Sequence, residues 1–257
     1  MKFGICINDK FNVIKDAGYD FAEVALASLS AMTEEEFEQF SQALKNSDLK
    51  AEAANLFLPA GFHVIAKDVD FSKISEYAET VFRRFSKIGG KIAVFGSGGQ
   101  RNIPAGLSQS EGEAIFCEVL KVVGAVAAKY NITVVIEPLN RFDCNLVNTV
   151  EDAIKICKCV QHKNIAVLAD FYHMHRNGED TDTILNAGEY LKHVHFARRN
   201  DDRKLPQNDQ DYADCLKFAQ NLKKIGYDER ISLEANFAPG FAEDIRSVWK
   251  YLTLFQS

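Results

Sequence analysis

Short apolar runs of β-type alternate with longer stretches of helical periodicity from one end of the chain to the other. The strand-like runs are FGICIN (3–8), FAEVAL (21–26), LKAEAANLF (49–57), KIAVFG (91–96), ITVVIE (132–137), IAVLAD (165–170), HVHFA (193–197) and ISLEANF (231–237). Helical stretches between them carry start signals. Thr33 with Glu36 and Ser108 with Glu111 read as capping boxes, each ahead of an amphipathic run. Thr149 opens VEDAIKICKCV, whose apolar positions 150, 153, 154, 157 and 160 share one helix face. Gly18, Gly89-Gly90, Gly188 and Gly226 each precede a strand by a few residues, which suits helix C-caps. Eight strand–helix units without a composition break predict an α/β chain, a single (β/α)₈ barrel domain over 1–257. A doubly wound sheet would want a glycine-rich phosphate turn after an early strand, and the first turn, INDKFN, has none.

Composition narrows the class of partner. With 47% hydrophobic and 26% charged residues, the 257-residue chain is an ordinary globular protein. Its net charge of −6 argues against nucleic acid, because a binder of phosphate backbones carries a basic stripe. The one basic cluster, Arg198, Arg199, Arg203 and Lys204, is interrupted by Asp201 and Asp202. No apolar run approaches the roughly 18 residues of a membrane span. Met1-Lys2 runs straight into the first strand with no leader pattern, and a cytoplasmic location is expected. The six cysteines (6, 117, 144, 157, 159, 215) show no disulfide-framework spacing and read as buried or half-buried thiols. Cys157 and Cys159, two apart in a helical run, point to different faces.

The stretch ITVVIEPLNRFD carries an acid to the end of an apolar strand, where a charge is costly unless paired. In a barrel of this kind the active site forms at the C-terminal strand ends. Those ends hold Glu137 on the fifth strand, Asp170 on the sixth, His195 on the seventh and Glu234 on the eighth. One such acid alone is ordinarily a helix N-cap or a solvated loop residue. Four on consecutive strands form a set of hard and borderline ligands for one divalent ion. Mn²⁺ suits them foremost, with Mg²⁺, Co²⁺ or Zn²⁺ also compatible. His193 and His195 share a strand face by period two, and filling that face is their ordinary role. Cys6, Asn8, Glu23, Asn55 and Phe57 also end strands and could line the pocket, although packing is the commoner fate of each.

EPLNRFD followed by NLVNT, then ADFYHM, HVHF with a downstream Arg203-Lys204-Leu205-Pro206, and LEANF resemble the sugar phosphate isomerase/epimerase family, with xylose isomerase-like TIM barrels. Within it the likeness is greatest to ketose 3-epimerases acting on D-tagatose, D-psicose and L-ribulose. The motifs cover 132–237; the first 130 residues match only in layout. The resemblance implies a divalent-metal-dependent epimerase or isomerase of a ketose or ketose derivative. Glu137, Asp170, His195 and Glu234 fall on metal ligands, and Glu137 and Glu234 also on the two catalytic acid/base residues. His173 falls on a substrate-hydroxyl contact. Asp143 falls where the epimerases carry a glutamate, one methylene longer. Arg203 falls near a substrate-binding arginine if two extra residues follow His195. The implied partner is a small carbohydrate, and a homo-oligomer is compatible.

The chemistry fits the residue types. A proton beside a ketone can be removed by one carboxylate and returned to the opposite face by another, which inverts the carbon. A single base would shift the carbonyl instead. A hydroxypyruvate-type isomerase or a metal-dependent sugar lyase or dehydratase would share the ligands. A non-catalytic sugar-binding barrel would be expected to lose one. A three-zinc DNA-repair endonuclease of the same superfamily needs further histidines, which NLF, FGS and Asp209-Gln210-Asp211 do not supply. The glycine-rich run FGSGGQRNIP (95–104) departs from the epimerases, which tend to place aromatic rings there. Its plain reading is a flexible loop. Its functional reading is a backbone nest with Gln100 and Arg101 on an anionic or strongly polar substrate group, which keeps a phosphorylated or carboxylated sugar open.

Overall fold

In the computed structural model, which describes residues 1–237 and 241–256, eight parallel strands close into a barrel. They are β1 (Lys2–Cys6), β2 (Phe21–Ala25), β3 (Ala53–Asn55), β4 (Ile92–Phe95), β5 (Thr133–Ile136), β6 (Ile165–Asp170), β7 (Leu191–Phe196) and β8 (Arg230–Leu233). Each pairs with the next, and β1 closes on β8. The expected single domain spans 1–257, of which 238–240 and Ser257 lie outside the described residues.

All eight expected strands form, most of them shorter than the apolar runs. β3 stops at Asn55 because Leu56 turns into the left-handed region at φ +46°. β8 stops at Leu233; the Glu234 N–H still donates to Phe196, but the Asn236 N–H leaves the sheet and donates to Arg203. Both expected capping boxes are made, Thr33 with Glu36 and Ser108 with Glu111, and Thr149 makes a third with Asp152. Gly18, Gly89 and Gly226 follow helices Phe11–Asp16, Phe71–Lys87 and Asp209–Lys224 with positive φ, as C-caps do. Gly188 differs: it opens the 3₁₀ turn Gly188–Tyr190. Among the described residues no helix is long and apolar enough to cross a membrane.

Period-two alternation decides what fills the barrel. Phe21, Ala53, Ile92, Val94, Val135, Ala166 and Leu168 form a separate apolar cluster inside it. Their strand neighbours Ala22, Val24, Ala93, Val134, Ile136, Val167 and Ala169 belong to the larger core between sheet and helices. Two residues on from Gly4, Phe21, Ala53, Val94, Val135, Leu168, His193 and Ser232 stand Cys6, Glu23, Asn55, Gly96, Glu137, Asp170, His195 and Glu234. The next inward layer on every strand is therefore polar, small or a thiol. Register puts Asp170 beside His195, and His195 beside Ser232.

The floor under this layer is tightly filled. A Cβ added at Gly4 would lie 2.3 Å from the buried Phe21 ring. Gly4→Ala is therefore expected to lower the unfolding free energy by about 1–3 kcal/mol through overpacking. Urea denaturation measures this, and pairing with Phe21→Leu should return part of the loss.

Candidate active site and metal centre

Asp170 ends β6 and caps the helix that follows. Its Oδ1 accepts the N–H groups of Tyr172 (2.7 Å) and His173 (3.1 Å), while Oδ2 faces the barrel axis. Asp170 thus caps the helix with one oxygen and turns the other toward the cluster. Glu137 and Glu234 arrive from the next inward positions of β5 and β8. Glu137 Oε1 and Glu234 Oε2 lie 3.0 and 2.7 Å from Nδ1 of His195, and Asp170 Oδ2 lies at 3.8 Å. One ligand atom from each of the four lies within 4.8 Å of the other three. That donor set, three carboxylates and an imidazole nitrogen aimed at one point, can hold a divalent ion.

The surroundings lock these side chains. A Cβ at residue 96 would stand 2.0 Å from Glu137 Oε2, so only glycine lets that carboxylate lie across β4. Asn55 Nδ2 donates to Glu234 Oε1 at 3.1 Å. Arg203, itself at φ +50°, donates through Nη2 to both Asp170 Oδ2 and Glu234 Oε2, and through Nε to the Glu234 carbonyl. Its guanidinium also lies over the Tyr172 ring. The extra residues after β7 thus still bring an arginine to the rim.

The two glutamates titrate in opposite directions. Burial raises the Glu137 carboxyl, only partly opposed by His195. Burial also pushes Glu234 up, but His195 and Arg203 overcome it and hold the carboxyl at about 2. Burial alone would lower His195; the carboxylates of Glu23 and Glu234 bring it well above its ordinary value.

His173 is buried, and its Nδ1 accepts the Asn140 N–H at 3.2 Å, so its proton sits on Nε2. Nε2 is 3.8 Å from Asp170 Oδ2, which places an N–H donor beside the cluster. Asp143 lies on the other side of this imidazole. Its Oδ2 accepts from Asn140 Nδ2 at 2.6 Å, stays 3.9 Å from His173 Nδ1, and is half exposed.

The glycine-rich loop after β4 corrects one expectation. Arg101 is 0% exposed and donates to three main-chain carbonyls, those of Gly96, Leu146 and Glu137. Each of its three nitrogens bonds a main-chain carbonyl, tying β4's end to the loop after β5, so this fully buried side chain is an internal clamp and not a substrate contact. The glycines there have packing reasons as well: a Cβ at Gly98 would meet the Asp143 carbonyl at 2.7 Å. Gln100 sits at the end of the 3₁₀ turn Gly98–Gln100, where its carbonyl accepts the Val64 N–H.

Glu23 turns out to be more than packing. It is 0% exposed and bonds two imidazoles, with Oε2 2.7 Å from His193 Nε2 and Oε1 2.8 Å from His195 Nε2. The imidazoles outweigh the burial that would raise its carboxyl and hold it well below the carboxylate range. An acid inside the apolar run FAEVAL, with two histidines on one face of HVHF, was the available signal.

A model of the xylose isomerase-like TIM barrel matches residues 11–251. The chain belongs to the xylose isomerase-like TIM barrel family. It is similar to the D-psicose 3-epimerase of Ruminiclostridium cellulolyticum, 30% identical over 118 residues, 46% of this chain and 39% of that protein. The match therefore spans about two fifths of that relative's length. Similarity to the 3-dehydro-D-guloside 4-epimerase of Escherichia coli is broader, 25% over 198 residues and 74% of each chain. Among solved structures, that of D-psicose 3-epimerase with D-tagatose from Clostridium cellulolyticum H10 shares the fold, with a TM-score of 0.78 at 20% identity. It covers 98% of this chain and 91% of that one.

The clamp makes a prediction. Arg101→Gln removes charge-assisted hydrogen bonds worth about 1.5–3 kcal/mol each and is expected to cost about 3 kcal/mol or more of stability. A variant that unfolds at the wild-type urea concentration would return Arg101 to the substrate-binding set.

Proposed function

We propose that this chain is a divalent-metal-dependent epimerase of a ketose or ketose derivative, with Glu137 and Glu234 as its two proton-transfer groups. The observation that carries the reading is their convergence. They come from β5 and β8, a few strands apart around the barrel, into one cluster whose ligand atoms span no more than 4.8 Å. The relatives named as sugar epimerases support it.

Glu137, Asp170, His195 and Glu234 would hold the ion, Mn²⁺ foremost. When bound, it supplies Lewis-acid stabilisation of negative charge on the substrate's oxygens. One glutamate takes the proton from the carbon beside the ketone, and the C–H electron pair becomes the enediolate. The other, already protonated, donates to the opposite face of that carbon. The two carboxyls end with their protonation states exchanged, and solvent resets them. The His173 Nε2–H would donate to a substrate hydroxyl. Arg203 would orient the substrate's carbonyl end, and Asp143, with Gln100 near the same rim, would meet its distal end. The carbohydrate stands as the partner, with nucleic acid outside the reading.

Turnover in D₂O is expected to place solvent deuterium at the inverted carbon, read by NMR across a panel of ketoses and ketose phosphates. Label at a neighbouring carbon with a shifted carbonyl would identify a one-face isomerase instead. Glu137→Gln and Glu234→Gln should each slow conversion by about 10²–10⁴-fold, with metal content checked in both. Separately, Asp170→Asn and His195→Ala are expected to lose the ion on dialysis against a weak chelator. Full retention by both would remove these residues from the ligand set.

A further inference from the structure

We infer that Glu23 is a positioning residue: through one buried carboxylate shared by two imidazoles, it sets the tautomer of His195 and so makes Nδ1 available to a metal. The inference rests on the metal centre proposed above. It assigns a role to a residue on β2, a strand that supplies none of that centre's four ligands.

The geometry leaves little freedom. Glu23 Oε1 and Oε2 face Nε2 of His195 and of His193, at 2.8 and 2.7 Å, and all three residues are 0% exposed. An ionised carboxylate only accepts, so both Nε2 atoms must carry protons. In neutral His195 the lone pair is then on Nδ1, the atom that faces Glu137, Asp170 and Glu234. In neutral His193 the lone pair falls on Nδ1 too, and that atom is buried without a hydrogen-bond partner. An orphaned acceptor is tolerable there, whereas a buried N–H without an acceptor would be costlier. Among the described residues, the other hydrogen-bonding group at His193 Nε2 is the Ser232 hydroxyl at 3.4 Å. A second carboxylate binding the outer nitrogen of a ligating histidine fixes both ring orientation and protonation.

The arrangement makes a sharp prediction for the isosteric change Glu23→Gln. An amide offers one oxygen acceptor and one N–H₂ donor, so it can satisfy only one of the two Nε2–H groups. The other imidazole must move its proton to Nδ1. On His193 that proton would meet no partner; on His195 it would meet the carboxylates of Glu137 and Glu234. His195 is therefore the ring that changes, and its ligand atom becomes a donor.

Titration calorimetry with Mn²⁺ is expected to show a 10–100-fold loss of affinity in Glu23→Gln, comparable to other losses of such partners. The variant's thermal unfolding is followed in parallel. A merely structural Glu23 would lower the melting temperature and leave the folded variant's Mn²⁺ affinity at the wild-type value. That result would overturn the inference. Wild-type protein loaded with diamagnetic Zn²⁺ gives a second reading that needs no variant. ¹⁵N spectra should show both histidines protonated on Nε2, with His195 Nδ1 on the metal; a His195 protonated on Nδ1 overturns the inference. His195→Ala separates the two levels. If it loses Mn²⁺ while Glu23→Gln does not, only the role of Glu23 fails. If it keeps Mn²⁺, the proposed centre fails first.

Discussion

Four carboxylates, two imidazoles and a guanidinium meet in the upper layer of the barrel interior, and their mutual charge compensation is the constraint on which the site depends. Glu23, Glu137 and Asp170 are buried, as are His193 and His195, and Arg203 closes the group from above. Removing a carboxylate from water costs several kcal/mol even after relaxation. Each here is met by a specific cation or donor. Glu23 takes two imidazole N–H groups, Asp170 takes two helix N–H groups and Arg203, and Glu234 takes Asn55 and Arg203. Glu137 has the fewest partners, which is why burial dominates its titration. A divalent ion at this point would complete the balance.

Holding so much charge in place demands a scaffold that does not relax. Three devices do this at different levels. The Phe21 ring against Gly4 fills the barrel below the polar layer. Gly96 removes the one Cβ that would collide with the Glu137 carboxylate. Arg101 pins the main chain of Glu137 itself, by way of its carbonyl, to the ends of two neighbouring loops. An arginine used this way is a buried cation with a peptide oxygen on each nitrogen, so its charge is spread over dipoles and not spent on a ligand.

The layers differ in how freely they vary. The β-strand layer with Glu137, Asp170, His195 and Glu234 is set by sheet register. The loops above it, which hold Asp143, Gln100 and Arg203, are set by turns and local hydrogen bonds. Asp143 is half exposed and tethered by Asn140, and Arg203 reaches its position through a left-handed residue in a longer loop. The strand-end cluster and the loop residues proposed to meet a substrate thus belong to parts of the chain under different constraints.

The barrel and the four-residue cluster were legible in the sequence because both follow from periodicity. Alternating strands and 3.6-residue helices give the eight units. An acid or histidine two residues beyond an inward apolar position must emerge at the same rim. Thr33, Ser108 and Thr149 announced their helices for a similar reason: a cap acts within three residues of itself. Arg101 and Glu23 could not be read that way. Whether an arginine faces a ligand or three carbonyls depends on where the loop after β5 lies. Whether an acid in β2 merely packs or orients a histidine in β7 depends on the barrel closing so that the two face each other. The sequence by itself determined which residues point inward and at what height. Only tertiary structure decided which of them touch, because hydrogen bonds reach about 3 Å and chain distance does not predict who comes that close.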